Sequence, residues 1–239
     1  STGNDTLALA GTLIGSMIFL DGDDHVQVAE GADFSQAAFD GGAGADTLEL
    51  TYGSAFNLQN APATTNFEHL IKRGNGAFTL SGTADTFSDS ITVAEGNVQL
   101  SGASVVTNEF RIGSGVTVTG TGSLSGSFIN AGVLSPGNSP GTIQVGGHFT
   151  QSAGGRLISE ITRAGTDSLD ISGAANLGGT HQINVEYGLY LDGTTHTLIQ
   201  ADGGIIGDFS SVEMNSSALM TAERELSANA LSVSFARQP

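Results

Sequence analysis

One pattern constrains this chain more than any other. Residues 76–82 read GAFTLSG, residues 96–102 read GNVQLSG, and residues 114–120 read SGVTVTG. Each segment holds two apolar residues at i and i+2, a polar residue between them, and a glycine at its end. An i, i+2 pair puts both side chains on one side of a β-strand. A strand this short cannot bury that side alone. Its recurrence about every twenty residues predicts the coils of a parallel β-solenoid, in which each unit is covered by its neighbours. The third segment places Val116 and Val118 in the roles of Val98 and Leu100.

A second series runs in another phase, through Ile91/Val93, Phe110/Ile112 and Phe128, and the N-terminal part adds Leu7/Leu9, Val26/Val28 and Leu48/Leu50. A β-sandwich is the rival for many short strands, but in-phase pairs at near-constant spacing favour the solenoid. Long amphipathic helical patterns are missing. Residues 66–72 are read as a strand with Phe67, His69 and Ile71 on one face.

The chain changes character over residues 132–161. Pro136-Gly137-Asn138 and Ser139-Pro140-Gly141 make a double turn, since each proline fixes φ and each glycine permits φ > 0. From about residue 155 longer strands are predicted at 181–187 (Ile183, Val185 and Tyr187 on one face), 196–201, 205–212 and 230–235, with hairpin-type turns at Gly178-Gly179 and Asp192-Gly193. A solenoid must close its open end, where apolar surface and unpaired edges would be exposed. The stretch from about 155 onward is read as that cap. The expected fold is all-β: a parallel β-helix (solenoid) with a C-terminal β-rich cap, coils in residues 1–120 and the C-terminal region and cap in 121–239.

Charge narrows the partners. The 239 residues carry 24 acidic and 7 basic side chains, a net charge of −17. Nucleic acid and anionic membrane surfaces would be repelled, whereas divalent cations would not. No apolar run is long enough for a transmembrane helix, so direct membrane insertion is not expected. The opening residues lack a basic start and an apolar stretch, so no signal peptide is read there. Both ends read as those of a fragment. Cysteine is absent, which excludes disulfide and thiol chemistry.

The run GVLSPGNSPGTIQVGGHFTQSAGGRLISEI, then DSLDISGAANLGGT, then HTLIQADGGIIGDF, resembles the C-terminal passenger region of bacterial type V autotransporters, over roughly residues 122–235. The resemblance implies a right-handed parallel β-helix, secreted or held at the cell surface of a Gram-negative bacterium. It also implies that the C-terminal end acts as an intramolecular autochaperone, folding early and templating the coils behind it. The corresponding core residues are Ile143, Val145, Phe149, Leu157, Ile161, Leu169, Ile171, Ile183, Val185, Leu198 and Phe209. The translocator β-barrel of that family has no counterpart in this chain, and neither does an effector domain. Passengers of the family include proteases, lipases and adhesins. Two further expectations follow: an adhesin or host-protein-binding surface in residues 1–75, with residues 56–66 as a projecting loop, or a stalk for a hydrolase lying upstream of Ser1.

Site signals are few. Residues 41–48, GGAGADTL, match the calcium-binding nonapeptide pattern, with partial copies at Gly3/Asp5/Leu7, Gly22/Asp24/Val26 and Gly165/Asp167/Leu169. Asp5, Asp24 and Asp46 lie about one coil apart, so their carboxylates and nearby turn carbonyls are calcium candidates. Gly-x-Asp before a strand is equally an ordinary turn. Ser139 sits in a G-x-S-x-G string, but two prolines and a following strand replace the helix a nucleophile elbow needs. His25, His69, His148, His181 and His196 show no ligand spacing and are read as surface residues. The acidic stretch 21–24 is read as a solvated loop, since glycosidase-like use would want binding aromatics and the chain has no Trp. No catalytic residue and no resident cofactor are expected.

Overall fold

The computed structural model describes residues 2–58, 63–84, 86–137, 140–188, 190–215 and 220–237. These contain no α-helix and form a parallel β-solenoid. Ten short strands stack in one sheet: Thr6–Leu9, His25–Val28, Thr47–Thr51, Phe67–Arg73, Phe87–Val93, Glu109–Ile112, Ser127–Asn130, Phe149–Gln151, Ala175–Leu177 and Ile205–Gly207. Every pairing along it is parallel. The first apolar residue of each pair therefore falls into one internal column, from Leu7 through Val26, Leu48, Leu70, Ile91, Phe110, Phe128 and Phe149 to Ala175 and Ile205. Phe110, Phe128 and Phe149 stack edge-to-face within it, with centroids 5.5 and 5.7 Å apart, a favoured aromatic geometry.

The remaining walls come from longer strands. Ala77–Ala84, Asn97–Val105 and Thr117–Leu124 lie parallel, and the first two pairs carry register shifts near residues 101–104. At the shift Gly102 has φ 64°, a left-handed conformation that a side chain makes costly. The strand bends there, and the next one, Thr117–Leu124, divides between two ladders. Residues 117–119 pair with 133–135, while residues 122–124 pair with 143–145. A separate three-stranded sheet, Thr12–Ile18, Asp33–Asp40 and Ala63–Thr65, walls the N-terminal coils.

Several local expectations are corrected. Val98 stacks on Val118 and Leu100 on Gly120, so Val116/Val118 do not repeat Val98/Leu100; the coil is two residues longer than the motif spacing indicated. In Phe67–Arg73 the buried residues are Phe67, Leu70 and Lys72, because the amides of Glu68 and His69 both donate to Asp46 O and the resulting bulge shifts the alternation. Tyr187 lies beyond its strand, Thr180–Val185, and is exposed; His181 takes the inward place beside Ile183 and Val185. The segment 205–212 is two strands, Ile205–Gly207 and Ser211–Met214, in different sheets. Gly178-Gly179 and Asp192-Gly193 close no hairpin, since the strands flanking each of them do not pair with one another.

The parallel ladders continue well past residue 155. Thr180–Val185 pairs parallel with Arg156–Thr162, and Thr195–Ala201 with Ser168–Ile171. Apart from the short antiparallel pairing of Gly165–Thr166 on Arg156–Thr162, the named strands reverse direction at the end of the chain, where Ala230–Arg237 lies antiparallel on Thr195–Ala201 and Met220–Leu226 lies antiparallel on Ala230–Arg237.

Candidate functional site

Three places combine chemistry with unusual burial. The first is an acidic column at the N-terminal coils. Asp5 N donates to Asp24 Oδ1 at 2.6 Å, Asp24 N to Asp46 Oδ1 at 2.7 Å, and Asp46 N to Glu68 Oε2 at 2.8 Å. Each carboxylate thus caps the backbone of the coil before it. A parallel thread links Asn4 to Asp23 and Asp23 to Ala45. The Gly-x-Asp spacing brings this about, because parallel register puts residues 6, 25, 47 and 69 side by side. Gly42, at φ 98°, makes the tight turn, and a Cβ there would strike the Leu20 carbonyl.

Asp24 and Asp46 are almost wholly buried, and the Oδ2 atom of each has no hydrogen-bond partner. Burial pushes the Asp46 carboxyl above the usual range; Asp24, Glu68 and Asp23 add to the rise, against the bond from Asp24 N. Asp5, Asp24 and Asp46 therefore share one column, as a stacked ladder. Among the described residues no group of three or more His, Cys, Asp or Glu side chains gathers closely enough to hold a metal ion. Residues 21–24 are only partly the solvated loop expected, since Asp24 points inward.

The second place is the corner after Val133–Pro136. Asp167, itself buried, accepts from Gly141 N at 3.0 Å and from Glu160 N at 3.2 Å. Gly137 N donates to Gly120 O at 2.7 Å. Burial raises the Asp167 carboxyl to about 6, although both amide bonds pull the other way. Asn138 and Ser139 lie outside the described residues, as do residues 59–62 of the expected projecting loop.

The third is the C-terminal closure. Tyr190 stacks on Phe235 with centroids 4.2 Å apart, and its hydroxyl lies 3.1 Å from Ile161 O and 3.0 Å from Glu186 O. The last strand is thereby tied to the coil beneath it. All eleven core residues named above, from Ile143 to Phe209, are buried in the same continuous core as the N-terminal coils.

The histidines do not form a site. His69 Nδ1 lies 2.9 Å from Ser90 Oγ, and His148 Nδ1 accepts from Ala174 N at 2.9 Å. His181, expected at the surface, is fully buried, with Nε2 3.0 Å from Ser159 Oγ and its ring 4.6 Å from that of Phe209. Burial depresses it to about 3, with Arg224 acting in the same sense. A Ser–His pair sealed in this way meets no substrate.

Internal polar residues escaped the sequence reading. Lys72 occupies the column position of Leu50 and Val93, and its ammonium donates to Gly74 O, to Gly76 O at 2.6 Å and to Glu95 O at 3.0 Å. Burial lowers its pKa. Farther along the same column, Asn130 donates to Gln151 Oε1 at 2.9 Å, and Gln151 donates to Gly178 O at 2.9 Å and Thr180 O at 3.0 Å. The signal was present, since Leu70/Lys72 and Phe128/Asn130 are pairs with one polar member. No protein-family model and no curated protein sequence matches the chain.

Proposed function

We propose that this chain is the non-catalytic stalk and autochaperone portion of a secreted or surface-held autotransporter passenger, which folds outside the cell and presents a function carried N-terminally or on its own coils. The observation that carries this reading is the reversal of strand direction at the C-terminus. Parallel coils need a neighbour before they gain anything, and a first coil closes a long loop against nothing. The pair Met220–Leu226 and Ala230–Arg237 is antiparallel and nearly contiguous in sequence. It forms from local contacts, and then offers Thr195–Ala201 an edge on which to dock.

Templating fixes where the folding barrier lies. Phe235→Ala should slow refolding of the full chain about as much as it lowers stability, because the closure is already formed in the transition state. Leu48→Ala, in an early coil, should leave the refolding rate unchanged and accelerate unfolding instead. Stopped-flow refolding and unfolding in urea separates the two cases. If Phe235→Ala altered only unfolding, the templating role would be wrong.

A second reading adds calcium at the acidic column. It is favoured by the two orphaned Oδ2 atoms on adjacent coils at Asp24 and Asp46, since unpaired buried carboxylate oxygens demand a proton or a cation.

A further inference from the structure

On the outer side of the wall built by the ladder through residues 122–124 and 143–145, five polar residues stand in one line: Ser104, Ser123, Gln144, Asp170 and Gln200 are register partners on five successive strands. They line an open groove of about 520 Å³ whose far margin carries Ser172 and Asp202. At several other places on the surface, outward polar residues pair with one another across coils. Thr142 Oγ1 lies 2.8 Å from Ser168 Oγ, Arg156 reaches Gln182 and Glu213, and Asn108 donates to Asp89. The five side chains of this line engage no other described residue in a hydrogen bond. A run of amide, hydroxyl and carboxylate groups has been left with its bonding capacity unspent, inside a concavity.

We propose that this line is the binding site of an extended, hydroxyl-rich glycan chain without negative charge, lying along the solenoid axis. The spacing selects this ligand class. Neighbouring strands lie about 4.8 Å apart, close to the length of one sugar unit in an extended β-linked chain, so successive coils offer hydrogen-bonding groups to successive sugars. An extended peptide advances only about 3.3 Å per residue, so about three residues span two coils and it meets the line in step only at every second coil. Charge selects further. Asp170 and Asp202 face the groove, and the whole molecule carries −17, so uronates and sulfated sugars are repelled while hydroxyls and amines are not. Burial by the groove walls and the nearby Asp202 carboxylate both raise the Asp170 pKa, a further mark of acids drawn together without a counter-charge. No aromatic side chain lines the groove, so affinity rests on hydrogen bonds and is modest.

This site is independent of the stalk reading and is tested separately. Calorimetric titration of the full chain is run with cellohexaose, a chitosan hexamer and oligogalacturonate as neutral, amine-bearing and anionic probes. Cellohexaose and chitosan should bind in the high-micromolar to millimolar range, with oligogalacturonate silent. Gln144→Ala and Gln200→Ala should each weaken cellohexaose at least fivefold, and Asp170→Asn should weaken chitosan selectively. Thermal melts confirm that each variant is folded; the two glutamines serve as alternatives should one fail. Silence from both uncharged and amine probes, equal binding of oligogalacturonate, or affinities indifferent to all three substitutions would overturn the proposal.

Discussion

At the scale of single residues, the interior of this solenoid holds ionisable groups that respond to pH in opposite directions. Asp167 has a folded pKa of about 6 against 3.8 for the free side chain. Its stabilising contribution is complete below the unfolded value and is lost as pH rises through 6. Asp46, raised for the same reason of burial, acts with it. His181 is depressed to about 3 from 6.5, so it favours the fold above pH 6.5 and opposes it progressively as pH falls. Each unit of difference is worth about 1.4 kcal/mol. Between pH 6.5 and 4 the two effects partly cancel. Asp167→Asn should steepen the loss of stability on acidification, and His181→Phe should flatten it. Urea unfolding at pH 4, 5, 6 and 7 reads both slopes; variants whose curves ran parallel to the parent's would show that neither group titrates as its burial requires.

At the scale of elements, the decisive feature is the bend in the long strands. Gly102 has open space around its missing side chain but a φ of 64°. Gly102→Ala should therefore cost about 1–2 kcal/mol through backbone conformation alone. Gly154→Ala, also in open space and without a left-handed φ, should change stability by less than about 0.5 kcal/mol. Urea midpoints compare them directly, and equal effects would mean that the bend does not depend on that conformation. The same bend shows what could be read beforehand. Most i, i+2 pairs of the ten-stranded sheet are visible in the sequence because most of those strands are short, unbulged and one-sided. Phe67, Leu70 and Lys72 were out of phase with that reading because a doubled hydrogen bond at Asp46 O inserts a residue into the count. The Gly-x-Asp spacing revealed that Asp5, Asp24 and Asp46 recur, but not that the carboxylates of Asp24, Asp46 and Glu68 each accept from the amide of the aspartate one coil before. That detail depends on register, which composition does not encode. Asp167 was visible only as a partial copy of the Gly-x-Asp pattern or an ordinary turn residue, and its grip on Gly141 joins positions 26 residues apart.

At the scale of the whole molecule, a net charge of −17 opposes compaction everywhere, whereas the acidic column opposes it at one place. These two effects are separable, because surface repulsion is screened by any salt over a Debye length of about 10 Å at 0.1 M, while orphaned oxygens inside a solenoid are not. Sodium chloride should raise the melting temperature smoothly by relieving the general repulsion. Calcium at matched ionic strength should raise it further if the Oδ2 atoms of Asp24 and Asp46 share the ion, and the gain should follow the mass-action dependence of a ligand on concentration. Asp46→Asn keeps an acceptor for Asp24 N but replaces the orphaned oxygen by an amide. This variant should keep its full response to sodium and lose the increment specific to calcium. Melts that coincide in sodium and calcium would assign the buried oxygens to a proton instead. The raised Asp46 pKa would then make the N-terminal coils firmer in mild acid than at neutral pH.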